Sequence, residues 1–459
     1  MISFENINKP DWKYELLYRY VNVIHNHIFY HHFYVINKER LPKDEPLVLI
    51  CNHQNGLSDA LGILFALKGD PRRPVFIARA DIFKRELAAK LLRFLKIMPA
   101  FRAQDTGVEN LGENAAIFNK SARILLEDGV VALFPEAGHE DCHHLGTFKK
   151  GFARIAFQAA EMSDFKKPIK IQPLAHHYSK YFGMQHQLMI VVGEPFGFED
   201  LYDIYKEHPQ RAQKLLADRA RAIVKELMLD IEDKSLYEEY DMIRTIYRDS
   251  YLKKKNLKAH YFPNHLTADK VVVKALDTYR EEDPEGFDKL MKHTHEYIRH
   301  VERLHLRDWI FGKKLSVWGF WFRLLLAIVL TPLVVFSFIY NFLPYNVSTL
   351  ITRRIKDPML HSAFHFVIGA LFAYPIWYII TSAILWATTG LWWIILVNLV
   401  VLPLSLVFYQ HSRVLWKKVY NRIRRWKFWV RGTGSYVRAV ELRGKIVKTM
   451  DKLINTVNL

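Results

Sequence analysis

Two stretches of this chain run without Asp, Glu, Lys or Arg for longer than a soluble fold accommodates: Leu324 to Leu343 and Ala363 to Gln410. About twenty apolar residues suffice for a helix to cross a hydrocarbon layer of about 30 Å, so the first is long enough for one crossing. The second exceeds any ordinary core helix and is interrupted only by Thr388, Thr389 and Gly390, a turn signal at its middle. Two or three membrane segments follow. Basic residues flank them: Lys313, Lys314 and Arg323 before the first, Arg353, Arg354 and Lys356 after it, and a basic tail after the last. The positive-inside rule draws all three clusters to the cytoplasmic side. Three full spans would carry one across, so the expected topology for 313–410 is a re-entrant first segment bent at Pro332, or a span over 324–343, followed by a hairpin over 363–410 turning at Gly390.

The remainder of the 459 residues reads differently, because 24% of the chain is charged although 50% is hydrophobic, which implies a water-facing part joined to a lipid-facing one. The formal charge of +18 points to an anionic partner, and its location chooses among the candidates. From His411 onward there are thirteen Lys or Arg against Glu441 and Asp451. A basic segment that directly follows apolar spans suits anionic lipid headgroups better than nucleic acid, so 411–459 is read as a juxtamembrane tail. Cys51 and Cys142 are too few for a disulfide framework and are expected to be reduced, buried and inert. Met1 to Lys9 has neither a basic flank nor an apolar core, so no cleavable secretory signal is expected there.

Residues 1–34 place Trp12, Leu16, Leu17, Tyr20, Ile24, Ile28 and Phe29 at roughly helical spacing and are read as an interfacial amphipathic helix. Its His25, His27, His31 and His32 fit amphipathic rings at a headgroup boundary more simply than a metal cluster. Over 35–200, short apolar runs alternate with helical stretches: Leu47 to Cys51, Val75 to Ala78, Met98 to Phe101, Val130 to Phe134, Ile169 to His176 and Leu188 to Val192 are the strands. The alternation predicts an α/β fold, a mixed sheet flanked by helices. The charged, periodic segment 201–312 is expected to form a helical insert.

The strand Leu47 to Cys51 runs into Asn52-His53-Gln54-Asn55-Gly56-Leu57-Ser58-Asp59. In a continuous helix, residues six apart are rotated about 240° from one another. His53 and Asp59 therefore meet only if the chain folds back, and Asn55-Gly56 is a strong signal for such a turn. A carboxylate beside an imidazole fixes its tautomer and stabilises the imidazolium, which makes His53 a competent general base. Taken alone, a histidine at a strand end is as readily structural. Pro99-Ala100-Phe101-Arg102 and Phe134-Pro135-Glu136-Ala137-Gly138 also follow strands, and open α/β sheets gather ligands beyond the carboxyl ends of their strands.

The order of these blocks, with Phe148-Lys149-Lys150-Gly151 and Ile171-Gln172-Pro173-Leu174 after them, resembles the four motif blocks of the phospholipid/glycerol acyltransferase family over roughly residues 35 to 200. The nearest variant is the fungal-type glycerol-3-phosphate/dihydroxyacetone-phosphate acyltransferases. Three departures stand out. Five residues separate His53 from Asp59 where the family usually has four; Ala137 replaces the glycine after the glutamate; and His139 and Glu140 replace the usual Ser or Thr and Arg.

The resemblance implies transfer of a fatty acyl group from an acyl-CoA or acyl carrier protein thioester to a hydroxyl of lysophosphatidate or glycerol 3-phosphate. It implies His53 as base, Asp59 as its orienter, Arg102 as the cation on the acceptor phosphate, Lys149 as a second cation, and Glu136 and Gly138 at the acceptor or its motif backbone. It calls for no metal and no resident cofactor, for membrane lipids but not nucleic acid as partners, and for a site on the cytosolic face of an integral membrane protein. Two rivals are a metal-dependent membrane hydrolase using His139, Asp141, His143 and His144, whose side chains suit Zn²⁺ but whose spacing matches no helical two-histidine motif, and a non-catalytic membrane-anchored lipid-binding protein.

Overall fold

The computed structural model of the chain describes residues 4–101, 113–136, 138, 140–312, 316–355, 357 and 360–456. The chain forms two compact units, Met1–Asp230 with Ile355–Phe364, and Ile231–Arg354 with His365–Leu459.

The first unit is built on a seven-stranded mixed sheet in the order β1-β7-β6-β2-β5-β3-β4. Its strands are β1 Tyr30–Ile36, β2 Leu47–Cys51, β3 Val75–Arg79, β4 Ile97–Ala100, β5 Val130–Leu133, β6 Lys170–Tyr178 and β7 His186–Val192. β2 lies at the centre, parallel to both β5 and β6, and all five of its residues are buried. Burial on both faces explains why Leu47 to Cys51 is continuously apolar rather than alternating. The helices α1 Trp12–Ile24, α2 Leu57–Ala66, α3 Glu86–Phe94, α4 Glu113–Leu126, α5 Gly151–Met162, α6 Tyr202–Glu207 and α7 Pro209–Leu227 accompany the sheet. From α5, Phe152, Ile155 and Phe157 enter the main core beside Val48, Ile50 and Val131. Each such side chain contributes roughly 1.5–3 kcal/mol of burial free energy.

Several expected boundaries shift. The amphipathic helix expected over 1–34 stops at Ile24; after a wide turn at His25–Phe29 the chain becomes β1, parallel to β7. His31 and His32 are thus strand residues. In α1, Tyr14 and Tyr18 pack against Phe65, while Trp12, Leu16, Tyr20 and Val23 remain exposed, so the helix is amphipathic with one apolar stripe covered and another open. α7, expected within the insert, packs Ala212, Leu216, Ala220 and Val224 into the core of the α/β unit.

The second unit contains α8 Tyr237–Lys254, α9 Phe262–Glu282, α10 Pro284–Arg303, α11 Val317–Thr352, α12 His361–Thr389 with a wide turn at Gly369–Ala373, α13 Ile394–Val430 and α14 Gly434–Thr456; the first residues of α12 belong to the other unit. α11, α12 and α13 are long and apolar enough to cross a membrane. α11 is one continuous helix through Pro332 and Pro344, not a re-entrant segment bent at Pro332. Neighbouring helices and local adjustment accommodate proline inside such helices. The turn at Gly390 is present, with glycine in the left-handed region at φ +71° closing α12.

α11 and α13 run antiparallel. Asn341 meets Ser405 and Phe338 meets Tyr409, while Arg424 and Arg425 bond the carbonyls of Leu304 and Ile310, just before α11 begins. Arg353 and Arg354 therefore lie at the opposite end of α11, so the three basic clusters are not gathered on one side as the expected topology required. The basic tail is also structured: α14 packs on α10, where Arg438 pairs with Glu296 and Arg443 pairs with the buried Asp308, which also accepts from Tyr297. Those charges bind protein carboxylates rather than remaining a loose polybasic flank.

Removing one member of a buried ion pair leaves its partner uncompensated, at about 3–5 kcal/mol. Arg443→Ala is therefore expected to destabilise the chain by about 3 kcal/mol in a denaturant melt, whereas Lys448→Ala, an exposed change on the same helix, shifts it by less than about 0.5 kcal/mol. Equal effects from the two variants would refute the structural role given to Arg443.

Candidate active site

The carboxyl ends of β2, β5 and β6 converge on one loop. β2 ends at Cys51 opposite Leu174 of β6, and its Ile50 stands opposite Leu133 of β5. Residues just beyond these ends therefore become neighbours, although they are far apart in sequence. Asn52 clamps β6, accepting the His176 N–H at 2.7 Å and donating to its carbonyl at 3.2 Å. The chain then reverses at Gly56, which has φ +49°; a Cβ there would lie 2.6 Å from the Leu360 side chain, so both conformation and space favour glycine.

The reversal brings His53 Nδ1 to 2.8 Å from Asp59 Oδ2. Asp59 is completely buried. Its Oδ2 also accepts the backbone N–H groups of Gln54 and Asn55, each at 2.8 Å, and its Oδ1 accepts the Tyr178 hydroxyl at 2.6 Å. Burial by itself raises this carboxyl, but the imidazoles of His176 and His53 and the Tyr178 hydroxyl outweigh it and hold the pKa down to about 2. Asp59 is thus ionised across the neutral range, His53 Nδ1 donates to it, and the lone pair resides on Nε2. The ring stacks on Phe134 at 4.3 Å and 15°, and about a fifth of the side chain is exposed. The result is a fixed, partly accessible base.

A second carboxylate braces the first. Glu136 Oε1 accepts the His53 N–H and Oε2 accepts the Gly146 N–H, both at 2.7 Å. Glu136 therefore ties the loop after β2 to the loop after β5, with help from Gln54 Nε2 donating to the Cys142 carbonyl at 2.7 Å. A Cβ on Gly146 would come within 2.9 Å of Oε2, which explains glycine there. Burial raises the Glu136 carboxyl to about 7, against the lowering effect of the two N–H groups.

The remaining candidates differ in position. Arg102 and His139 lie outside the described residues. Lys149 is exposed and its side chain has no polar partner among the described residues, while its backbone N–H bonds the Pro135 carbonyl at 2.7 Å. Gly138 is exposed, and a Cβ there would meet nothing within 4 Å, so space does not demand glycine. His143 stacks near His177 and its Nδ1 lies 3.2 Å from the Tyr181 hydroxyl, whereas His144 is 3.8 Å from Asp230. Among the described residues no three potential ligands are grouped to hold a metal ion.

Sequence reasoning missed His176 and Tyr178. The His176 Nε2 donates to the Asp59 carbonyl at 2.9 Å, leaving Nδ1 to accept from the buried Cys51 thiol at 2.8 Å. Burial holds the Cys51 thiol well above its ordinary value, so it is an inert packing group. The available signal was the run His176-His177-Tyr178, polar rings closing the strand beside the one that leads into His53.

Residues 32–177 match a family model described as Acyltransferase, and this span contains most of β1, all of β2 to β5, nearly all of β6, and His53, Asp59 and Glu136. The match supports an acyltransferase domain in the first unit. No curated protein matches the chain. Among solved structures, it is similar to the crystal structure of the 1-acyl-sn-glycerophosphate (LPA) acyltransferase PlsC from Thermotoga maritima, at 16% identity and a TM-score of 0.31, over 46% of this chain and 79% of that one.

The Glu136 carboxyl generates a pH prediction. Its folded-state pKa lies above the ordinary 4.5, so its contribution to stability is complete below about 4.5 and is lost as pH rises through about 7. Wild-type stability is expected to fall across that window by on the order of 3 kcal/mol from this group. Glu136→Gln should start less stable, because its amide can accept only one of the two N–H groups, but should lack that increment. Parallel pH curves for the two proteins in thermal denaturation would refute the assignment.

Proposed function

We propose that the chain is a membrane-embedded O-acyltransferase that moves a fatty acyl group from an acyl-CoA or acyl carrier protein thioester to a hydroxyl of lysophosphatidate or glycerol 3-phosphate. The observation that carries this reading is the His53–Asp59 dyad at 2.8 Å, with its ionised carboxylate fully buried and its imidazole accessible, inside the segment that matches the Acyltransferase model. In the proposed reaction, His53 Nε2 takes the acceptor's hydroxyl proton as that oxygen forms a bond to the thioester carbonyl carbon. The carbon–sulfur bond breaks, and the imidazolium returns the proton to the departing thiolate. No acyl-enzyme is required, which agrees with the full burial of Cys51.

Asp59 holds the tautomer and stabilises the imidazolium. Glu136 acts through the His53 backbone, which it fixes relative to the next loop. Arg102 is assigned to the acceptor phosphate as a charged fork, Lys149 to the same anion from an exposed position, and Gly138 to the loop between them. Within the family, we place the chain nearest the fungal-type branch because five residues intervene between His53 and Asp59. We place the site on the cytosolic side. The support is charge alone: thirteen Lys or Arg follow the last apolar segment, and the positive-inside rule draws such residues to the cytosol.

Purified protein in lipid, offered lysophosphatidate and glycerol 3-phosphate separately with each thioester class, is expected to acylate one acceptor. His53→Ala should lower the rate by about 10²–10⁴-fold without altering association with lipid. Asp59→Asn should lower kcat by a comparable factor, because an amide no longer enforces the Nδ1–H tautomer. Full activity in His53→Ala would refute the mechanism; absence of transfer from every donor and acceptor pair by the wild type would refute the function.

A further inference from the structure

Between α11 and α13 lies a cavity of about 170 Å³ whose lining includes the apolar Phe338, Phe342 and Leu406 together with Asn341, Tyr409 and Arg413. Among the described residues, one buried polar atom of this lining has no hydrogen-bond partner. Asn341 is 3% exposed; its Nδ2 donates to the Ser337 carbonyl and to Ser405 Oγ, each at 2.8 Å, but its Oδ1 has no partner. A buried acceptor left without a donor costs about 1–3 kcal/mol, so its persistence at a cavity wall calls for a ligand that donates.

Arg413 is the first charged residue of α13, where the apolar run of that helix ends. Its Nη1 bonds Gln410 Oε1 at 3.3 Å and the guanidinium lies 6.0 Å from the Tyr409 ring centre, and it pairs with no carboxylate among the described residues. An arginine at this end of the apolar run extends its guanidinium toward the headgroup layer, where it can take a phosphate. A guanidinium suits phosphate, an amide oxygen suits a hydroxyl, and the aromatic and aliphatic wall suits an acyl chain.

We propose that this cavity binds a lysophospholipid of the lysophosphatidate class, with its phosphate on Arg413, its free hydroxyl donating to Asn341 Oδ1, and the start of its acyl chain against Phe338, Phe342 and Leu406. This is a lipid site of the helical unit, carried by residues other than the His53 loop, and it does not depend on the acyl-transfer reading. A neutral monoacylglycerol lacks the charge for Arg413, and glycerol 3-phosphate lacks the chain for the apolar wall.

The test uses the full chain with His53→Ala and Arg102→Gln, which removes turnover and the acceptor cation assigned to the other unit, reconstituted in phosphatidylcholine nanodiscs. Labelled lysophosphatidate should bind saturably. Arg413→Gln in that background should weaken binding about tenfold or more, and Arg413→Lys should weaken it less, which separates lost recognition from misfolding. 1-Monoacylglycerol and glycerol 3-phosphate should each compete at least tenfold more weakly than lysophosphatidate. Non-saturable binding, unchanged affinity in Arg413→Gln, or competition by glycerol 3-phosphate equal to that of lysophosphatidate would each overturn the proposal. Failure of the wild type to transfer acyl groups would sink the catalytic reading and leave this site intact.

Discussion

The arrangement of the first unit depends on keeping one carboxylate charged where water does not reach it. An unpaired buried carboxylate is so costly that it protonates instead. Asp59 avoids this because four donors, the His53 ring, the N–H groups of Gln54 and Asn55 and the Tyr178 hydroxyl, converge on its two oxygens. None of these is supplied by a neighbouring turn of α2. Tyr178 requires β6 to lie beside β2 and extend past it, and the two N–H groups require the reversal at Gly56. The central position of β2 is therefore as much a condition of the site's electrostatics as of its packing.

Two carboxylates lie close together and are driven in opposite directions. Around Asp59 the donors win over burial, whereas around Glu136 burial wins over two N–H groups. Environments that separate the pKa values of neighbouring acids separate their roles. The permanently ionised Asp59 faces the ring of His53, where charge stabilises an imidazolium. Glu136 contacts only the backbone of that residue through its Oε1, so a change in its protonation alters the hold on the loop rather than the chemistry directly. The two carboxylates thus act on different parts of His53, one on its ring and the other on its backbone.

Much of the fold was legible because burial on both faces leaves an unambiguous signature: β2 and β5 are continuous apolar runs in sequence and parallel neighbours in space. The His53–Asp59 pairing was legible through Asn55-Gly56, since only a reversal lets residues six apart meet. β1 was not, because Tyr30-His31-His32-Phe33-Tyr34 continues the aromatic, histidine-rich composition of the helix before it, and strand identity comes from pairing with β7. His176 and Tyr178 were hidden for a related reason: their role is created by strand order, which local pattern does not encode. The unbroken course of α11 through Pro332 is a matter of tertiary surroundings, and the fate of the basic tail depends on carboxylates of α10 and its following turn, at Glu296 and Asp308.

Polar residues within the apolar helices divide into two kinds, and the division shows which hold the bundle together. Asn398 is fully engaged: its Nδ2 donates to Thr381 and Ser382, and its Oδ1 accepts the Tyr340 hydroxyl. Such a residue joins helices, since small hydroxyl and amide side chains supply the interhelical bonds that apolar surfaces in lipid lack. Asn341 begins the same way, reaching Ser405 across the helix pair, but leaves its oxygen unused at a cavity that Arg413 also lines. If packing were the only demand on that position, a smaller apolar residue would close the cavity without a buried orphan acceptor. Satisfaction at Asn398 and its absence at Asn341 thus separate the structural from the ligand-binding use of the same amide, within one bundle and by the same hydrogen-bond accounting.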